Sequence, residues 1–212
     1  MNRLKLGLLG SLFILSSSCA RIYYTTDARS LAIKHQQIAV LPAQVSIAAS
    51  KSVEASVLER LEMIESLNLQ RALHAWLLKR KGKGRIEVEL LELDEVNAVL
   101  TRANYFTDPD LSSQEICRLL GVDALLRSKF DLSRPLSGGA SRALQLTLGG
   151  LIKTKSVTAQ LDIYDGGTER FIWGYRGTLS GSSRTTHLSL IQGLMRSASR
   201  HLPHKVKKRK KK

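Results

Sequence analysis

Short apolar runs typical of β-strands alternate with longer segments of helical periodicity through most of this chain. The run QIAVLPA at 37–43 is β-rich and ends at a proline, which predicts a buried strand. Ser50 or Ser52 can cap the helical segment that follows, because its apolar residues recur every three or four positions as far as Leu77. Alternating apolar residues predict a second strand at 85–93, and Asp94 can cap a short helix after it.

The second half of the chain continues this alternation with strong local signals. Ser112 and Glu115 form a capping box for a helix that Gly121 closes, and a strand is predicted at 122–130. Three more strand-like runs lie at 144–148, 157–163 and 171–175, and Asp165-Gly166-Gly167 predicts a hairpin between the last two. Ser182 or Ser183 begins a final helix. The order β-α-β-α-α-β-β-β-β-α predicts an α/β fold with a single mixed β-sheet and helices packed against it.

The first nineteen residues predict export from the cytoplasm. Arg3 and Lys5 precede the apolar run LGLLGSLFIL, and three serines then lead to Cys19. This resembles a bacterial lipobox, with Ser16 where Leu, Val or Ile is usual. We expect a signal peptide at 1–18, Cys19 as the lipid-carrying residue, a lipidated tether at 19–35 and one α/β domain at 36–203. Cleavage after Ala20, which would release a soluble periplasmic protein, is the alternative.

Most of the basic character belongs to the end of the chain. There are 33 lysines and arginines against 18 acidic residues, but nine of the cations lie in the leader and the tail. A run of like charges repels itself, so we expect a disordered basic tail at 204–212. Behind an export signal, the available partners are anionic lipid, lipopolysaccharide and cell-wall polymer, and nucleic acid is not expected. A solvated tail without any partner is an equal alternative. The expected contact residues are Lys205, Lys207, Lys208, Arg209, Lys210, Lys211 and Lys212.

Several motifs together resemble a known group of envelope proteins. They are IAVLP at 38–42, GVDALL at 121–126 and A-x-L-x-I-Y-D at 159–165 with Trp173. Their order over residues 36–202 resembles the curli-secretion-channel lipoprotein and its relatives, whose core is similar to the amino-terminal domain of TolB. The resemblance implies an α/β core of the TolB amino-terminal or anticodon-binding type. It also implies a role in assembly at the outer membrane, without catalysis.

Side chains that could carry chemistry have simpler interpretations. Cys117 lies in an apolar stretch and is predicted to be a buried hydrophobe, which leaves the fold without a disulfide. His201 and His204 have helical spacing for a metal, but Pro203 between them and a helix end nearby favour a structural role, and His35, His74 and His187 are scattered. Trp173 is predicted to be a core residue. The acids Glu87, Glu89, Glu92 and Asp94 are predicted to form a solvated face.

These patterns favour a non-enzymatic lipoprotein without cofactor or metal, apart from the covalent lipid on Cys19. No acidic residue follows Cys19 directly, so the periplasmic side of the outer membrane is the expected location. The α/β domain is expected to bind an envelope partner protein or further copies of itself. A subunit of an oligomeric secretion pore similar to the curli channel stays an alternative.

Overall fold

The computed structural model describes residues 20–48, 53–107, 111–133, 155–181 and 187–206. Within these ranges the chain forms seven strands and five helices. In chain order they are β1 (Arg21–Tyr24), α1 (Ala28–Ala32), β2 (Gln37–Val40), β3 (Gln44–Ile47), α2 (Ala55–Lys81), β4 (Glu89–Leu90), α3 (Leu93–Arg102), α4 (Ser113–Leu120), β5 (Ala124–Leu132), β6 (Lys155–Asp165), β7 (Phe171–Gly181) and α5 (His187–Ala198). No helix among these residues is long and apolar enough to cross a membrane.

The strands form one mixed sheet in the order β1-β7-β6-β5-β2-β4. Strand β5 lies at its centre, antiparallel to β6 and parallel to both β2 and β3. The first residues of β5 pair with β2 and the last with β3, so the short strands follow one another along the same edge of β5. The predicted α/β fold with a single mixed sheet is confirmed.

One face of the sheet carries the larger hydrophobic core. Helices α2 and α5 cover this face, and their leucines pack against alternate residues of the strands. Phe130 on β5 and Trp173 and Tyr175 on β7 are almost completely buried there. Trp173 is therefore a core residue, as its sequence context predicted.

The opposite face is covered at one end only. Helices α3 and α4 pack there against the beginning of β5 and against β2, with Leu125 and Ala39 in the contact. Residues further along β5 on this face are no longer buried: Arg127 is half-buried and Lys129 is exposed. Among the described elements, none covers this second part of the face.

The beginning of the domain corrects the tether interpretation of residues 19–35. Arg21–Tyr24 forms an edge strand that pairs antiparallel with β7, with Arg21 opposite Arg176. Helix α1 follows directly, and Ala28 belongs to the larger core. No local pattern predicts these elements, because β1 takes its hydrogen bonds from a strand about 150 residues later.

Other differences concern the ends of elements. The strand predicted at 85–93 is reduced to the two residues of β4, with Ile86 in an isolated bridge to Lys205. Asp94 lies inside α3, for which Glu92 is the N-cap. Helix α2 begins after Glu54, while Ser50 and Ser52 lie outside the described residues, as do the predicted strand at 144–148 and the predicted start of the last helix at Ser182 or Ser183.

The capping box and the hairpin are confirmed in detail. The Ser112 hydroxyl accepts a hydrogen bond from the Glu115 amide at 3.1 Å, and the Glu115 carboxylate accepts one from the Ser112 amide at 2.8 Å. Gly121 ends α4 in the left-handed conformation, with φ of 66°. Strands β6 and β7 are adjacent and antiparallel around the Gly166-Gly167 connection.

Candidate functional site

The uncovered part of the sheet forms a polar surface, here called the open face. Its residues share a face because cross-strand partners in register point to the same side of a sheet. The face is made of Gln44, Ser46, Arg127, Lys129, Asp131, Thr158, Gln160, Asp162, Tyr164, Arg176 and Thr178, with Arg21 and Tyr23 at its edge on β1. This face is rich in charged and amide side chains, and no element of the described ranges covers it.

A cavity of about 270 Å³ lies where the open face meets the end of the α3–α4 layer. This volume is close to the lower end of what small-molecule sites offer, roughly 300 Å³. Two aromatic rings and several groups with hydrogen-bonding capacity line it. The lining residues are Pro42, Gln44, Tyr105, Arg127, Ser128, Lys129, Gln160, Asp162 and Tyr164.

Arg127 is the fixed cation of this cavity. Its Nε donates to the Ser113 hydroxyl at 3.0 Å, and its Nη2 donates to the Leu111 carbonyl at 3.3 Å. The guanidinium also lies over the ring of Tyr164, 5.9 Å from the centroid. These contacts hold the planar group in one position, and a guanidinium has further N–H donors for an incoming acceptor.

Asp162 stands opposite Arg127 in the register of β5 and β6. Gln160 Nε2 donates to its carboxylate at 2.7 Å. Burial raises the pKa of Asp162, and the hydrogen bond from Gln160 and the charge of Arg176 oppose this rise. Burial also raises the pKa of Tyr164, with Asp162 adding to the effect, so its hydroxyl stays protonated near neutral pH. The cavity can therefore donate to an anionic or carbonyl group and accept from a hydroxyl or amide of the same ligand.

A second polar group lies at the end of the sheet where β2 and β5 begin. Asp165 Oδ1 and His35 Nε2 are 2.7 Å apart, and His35 Nδ1 is 2.9 Å from His204 Nε2. The Asp165 carboxylate also accepts the Thr168 amide and hydroxyl, both at 2.6 Å. This Asp165–His35–His204 chain joins the α1–β2 connection, the β6–β7 hairpin and the last described segment.

No local sequence pattern indicates this chain of hydrogen bonds. Helical spacing pairs His204 with His201, but the partner of His204 in the structure is His35, which is 169 residues away. No group of three metal-ligating side chains suited to a metal occurs in the part of the chain that the structure describes. These hydrogen bonds form a clasp on the C-terminal segment, and the interpretation of His201 and His204 as structural residues stays a prediction.

Only some of the predicted site residues lie in the part of the chain that the structure describes. Cys19 and Lys207–Lys212 lie outside the described residues, although Ala20, next to Cys19, leads directly into β1. Lys205 corrects the predicted tail boundary at 204. It bridges Ile86, and the Val206 amide donates to the Arg85 carbonyl at 3.1 Å. The domain thus continues to Val206, because backbone hydrogen bonds and the clasp hold this segment.

Cys117 behaves as its apolar surroundings predicted. It is buried in the smaller core beside Ile116 and Leu120. Burial raises the pKa of its thiol to about 12, and the nearby charge of Asp165 acts in the same direction. A thiol that stays protonated is a poor nucleophile, so Cys117 fills space in the core.

Comparison with known proteins gives likenesses in structure only. No protein-family model matches the chain, and no curated protein matches it in sequence. The PelC dodecamer from Paraburkholderia phytofirmans is similar with 12% identity and a TM-score of 0.47, over 90% of this chain and 99% of that one. The lipoprotein GNA1162 from Neisseria meningitidis is similar with 10% identity and a TM-score of 0.47, over 77% and 95%.

The C-terminal domain of LpoB from Escherichia coli is similar with 14% identity and a TM-score of 0.34, over 73% of this chain and 96% of that one. One of these three similar chains is itself described as a lipoprotein. None of the three is the curli-secretion-channel lipoprotein or TolB, so that resemblance stays a prediction. Likenesses of this strength give no information about function.

Proposed function

We propose that this chain is a lipid-anchored protein of the bacterial envelope that binds a partner on the open face of its sheet. In this proposal Cys19 carries the lipid, the domain faces the periplasm from the outer membrane, and no reaction is catalysed. The observation that carries the binding role is the cavity around Arg127. A guanidinium held by Ser113 and Leu111 stands there on a sheet face that no described element covers.

The composition of the cavity supports binding of a polar group. Arg127 and Lys129 supply positive charge, while Tyr105 and Tyr164 supply ring surface that orients a ligand with little loss of conformational entropy. A partner that presents a carboxylate or carbonyl beside an apolar side chain fits this combination. The same pattern is typical of protein interfaces, in which arginine and tyrosine are enriched.

Labelled palmitate tests the anchor. Cells expressing the natural chain or Cys19→Ala are labelled and fractionated, and we expect the label and the outer-membrane location with the natural chain only. A soluble, unlabelled natural chain that begins at Arg21 would instead establish cleavage after Ala20. An unlabelled chain that keeps Met1 and stays in the cytosol would refute the envelope assignment altogether.

The same membranes then test the binding role. After crosslinking, the natural chain and the pair Arg127→Gln with Lys129→Gln are each purified with their captured partners. Lys79→Gln with Lys83→Gln serves as the matched control, because it removes the same charge from exposed positions at and just beyond the end of α2. We expect the natural chain and the control to capture the same partner. The cavity variant should no longer capture it. Equal capture by all three would exclude the open face as the binding surface.

A further inference from the structure

Two large aromatic side chains are exposed on the edge strand β1, Tyr23 on the side of the open face and Tyr24 on the side of the larger core. Tyr23 and Tyr24 are each 52% exposed and flank the free edge of the sheet. Arg21 precedes them, and Arg29 follows on the exposed side of α1. Tyrosine and arginine both combine an apolar body with a polar tip, and they are therefore suited to the interface between lipid headgroups and water.

The charge around these tyrosines is positive. Arg176 on β7 is the register partner of Arg21 and is also exposed. The nearby carboxylate of Asp27 is already paired, with its Oδ2 2.9 Å from Nη1 of Arg170. We call the surface formed by Arg21, Tyr23, Tyr24, Arg29 and Arg176 the β1 edge.

The length of chain before β1 decides where this surface lies relative to a lipid on Cys19. Ala20 alone separates Cys19 from Arg21, and an extended residue spans at most about 3.6 Å. The Cα atom of Cys19 is therefore within roughly 7 Å of the first residue of β1. A domain joined to a lipid by so short a connection stays at the bilayer surface. The side of the domain on which β1 begins then faces the bilayer.

We propose that the β1 edge is a membrane-contact surface that docks onto the headgroups of a bilayer containing anionic lipid. This inference rests on the proposed lipid anchor at Cys19. The sheet then stands edge-on, with β4 at its opposite edge, about 24 Å away over five strand spacings. Val206, from which the basic tail continues, lies beside Arg85 at that far side, and the part of the open face around Arg127 on β5 and β6 stays accessible from the water phase.

Vesicle binding of an unlipidated chain tests the surface separately from the anchor. The chain of residues 20–206 lacks both Cys19 and the basic tail, and it retains every contact described above. We expect it to sediment with vesicles of phosphatidylcholine and phosphatidylglycerol, and less with phosphatidylcholine alone or at high salt. Arg21→Gln with Arg29→Gln should weaken binding about 25-fold, because each cation near an anionic surface accounts for about a five-fold change.

Two further variants define the surface. Lys79→Gln with Lys83→Gln removes the same charge at the far side and should leave binding unchanged. Tyr23→Ser should weaken binding about five-fold on both kinds of vesicle, since the ring contributes apolar contact. Tyr24 is left intact because its hydroxyl donates to the His201 carbonyl. Absence of binding by the 20–206 chain, or equal loss in the two charge variants, would overturn the proposal.

The outcomes separate this inference from the anchor itself. If palmitate labelling fails while the β1-edge variants still weaken vesicle binding, the anchor is refuted and the surface stands. If labelling succeeds and the variants bind like the natural chain, the anchor stands and the surface is refuted.

Discussion

The Asp165–His35–His204 chain shows how single protons can hold a chain segment in place. His35 is buried and uses both ring nitrogens, one toward the Asp165 carboxylate and one toward His204. Between two imidazole nitrogens only one proton fits, so protonating both rings fully would set two N–H donors against each other. Burial lowers the pKa of His204 to about 3, and the charge of His35 acts in the same direction.

The lowered pKa of His204 predicts that mild acid destabilises the domain. His204 has a folded pKa near 3 and an ordinary value of 6.5, so below pH 6.5 the unfolded chain takes up a proton that the folded chain does not. The free energy of unfolding should then fall by about 1 to 2 kcal/mol between pH 6.5 and pH 5. Hydrogen bonds from Thr168 and His35 outweigh burial and lower the pKa of Asp165, so its contribution is lost only at still lower pH. Urea unfolding at several pH values measures the loss.

His204→Gln should flatten this pH dependence, because glutamine keeps a polar group at the position but does not titrate. The variant His201→Gln is the matched control, and its pH dependence should stay that of the natural chain. If unfolding of His204→Gln loses as much free energy between pH 6.5 and pH 5 as the natural chain, the clasp is not the acid-sensitive element.

At the scale of elements, helices α4 and α2 differ in how much their stability depends on tertiary contacts. Helix α4 has eight residues and satisfies its first amides with its own capping box. Helix α2 has 27 residues, and its N-cap residue, Glu54, makes no capping hydrogen bond with its side chain. Its stability comes from the leucines that pack on the sheet, because a long amphipathic face contributes more than one cap.

Removing the two caps should therefore have unequal effects. Ser112→Ala leaves the Glu115 amide without its acceptor, and we expect it to lower the free energy of unfolding by about 1 kcal/mol. Glu54→Ala removes only a contact with the Ser56 hydroxyl, and we expect a loss below about 0.5 kcal/mol. Chemical denaturation of both variants gives the comparison, and equal losses would show that the capping box stabilises α4 no more than Glu54 stabilises α2.

At the scale of the whole molecule, both ends of the described chain are built into the fold. Strand β1 forms one edge of the sheet. The C-terminal segment contacts Tyr24 of β1 through the His201 carbonyl, and it contacts Arg85, near β4, through the Val206 amide. Leu202 and Pro203 on this segment are buried. The end of the chain thus acts as a strap across the end of the sheet, up to Val206.

Two truncations test this strap. Ending the chain at Val206 removes Lys207–Lys212 and should leave the free energy of unfolding unchanged within about 0.5 kcal/mol. Ending it at Leu202 removes the partner of His35 and the backbone bond to Arg85, and we expect a loss of about 3 kcal/mol. Thermal and urea unfolding check both values. If both truncated chains were as stable as the natural chain, the residues from His204 onward would be a tail, as the composition predicted.

The sequence by itself determined the features that rest on neighbouring residues. The α4 capping box, the left-handed Gly121, the β6–β7 hairpin and the α/β class follow from spacing over a few positions, and the structure has all of them. The burial of Cys117 and Trp173 also followed from their local apolar context. Hydrophobic periodicity and turn chemistry are local, so they can be read without knowing the rest of the fold.

Only the tertiary structure decided the features that join distant parts of the chain. Strand β1 pairs with β7, His35 contacts Asp165 and His204, and Arg127 stands opposite Asp162 in the register of the open face. Four residues such as RIYY carry no periodicity, and nothing local indicates which histidines will meet. The physical reason is that strand register and burial depend on partners far away in sequence, so these contacts exist only once the sheet has formed.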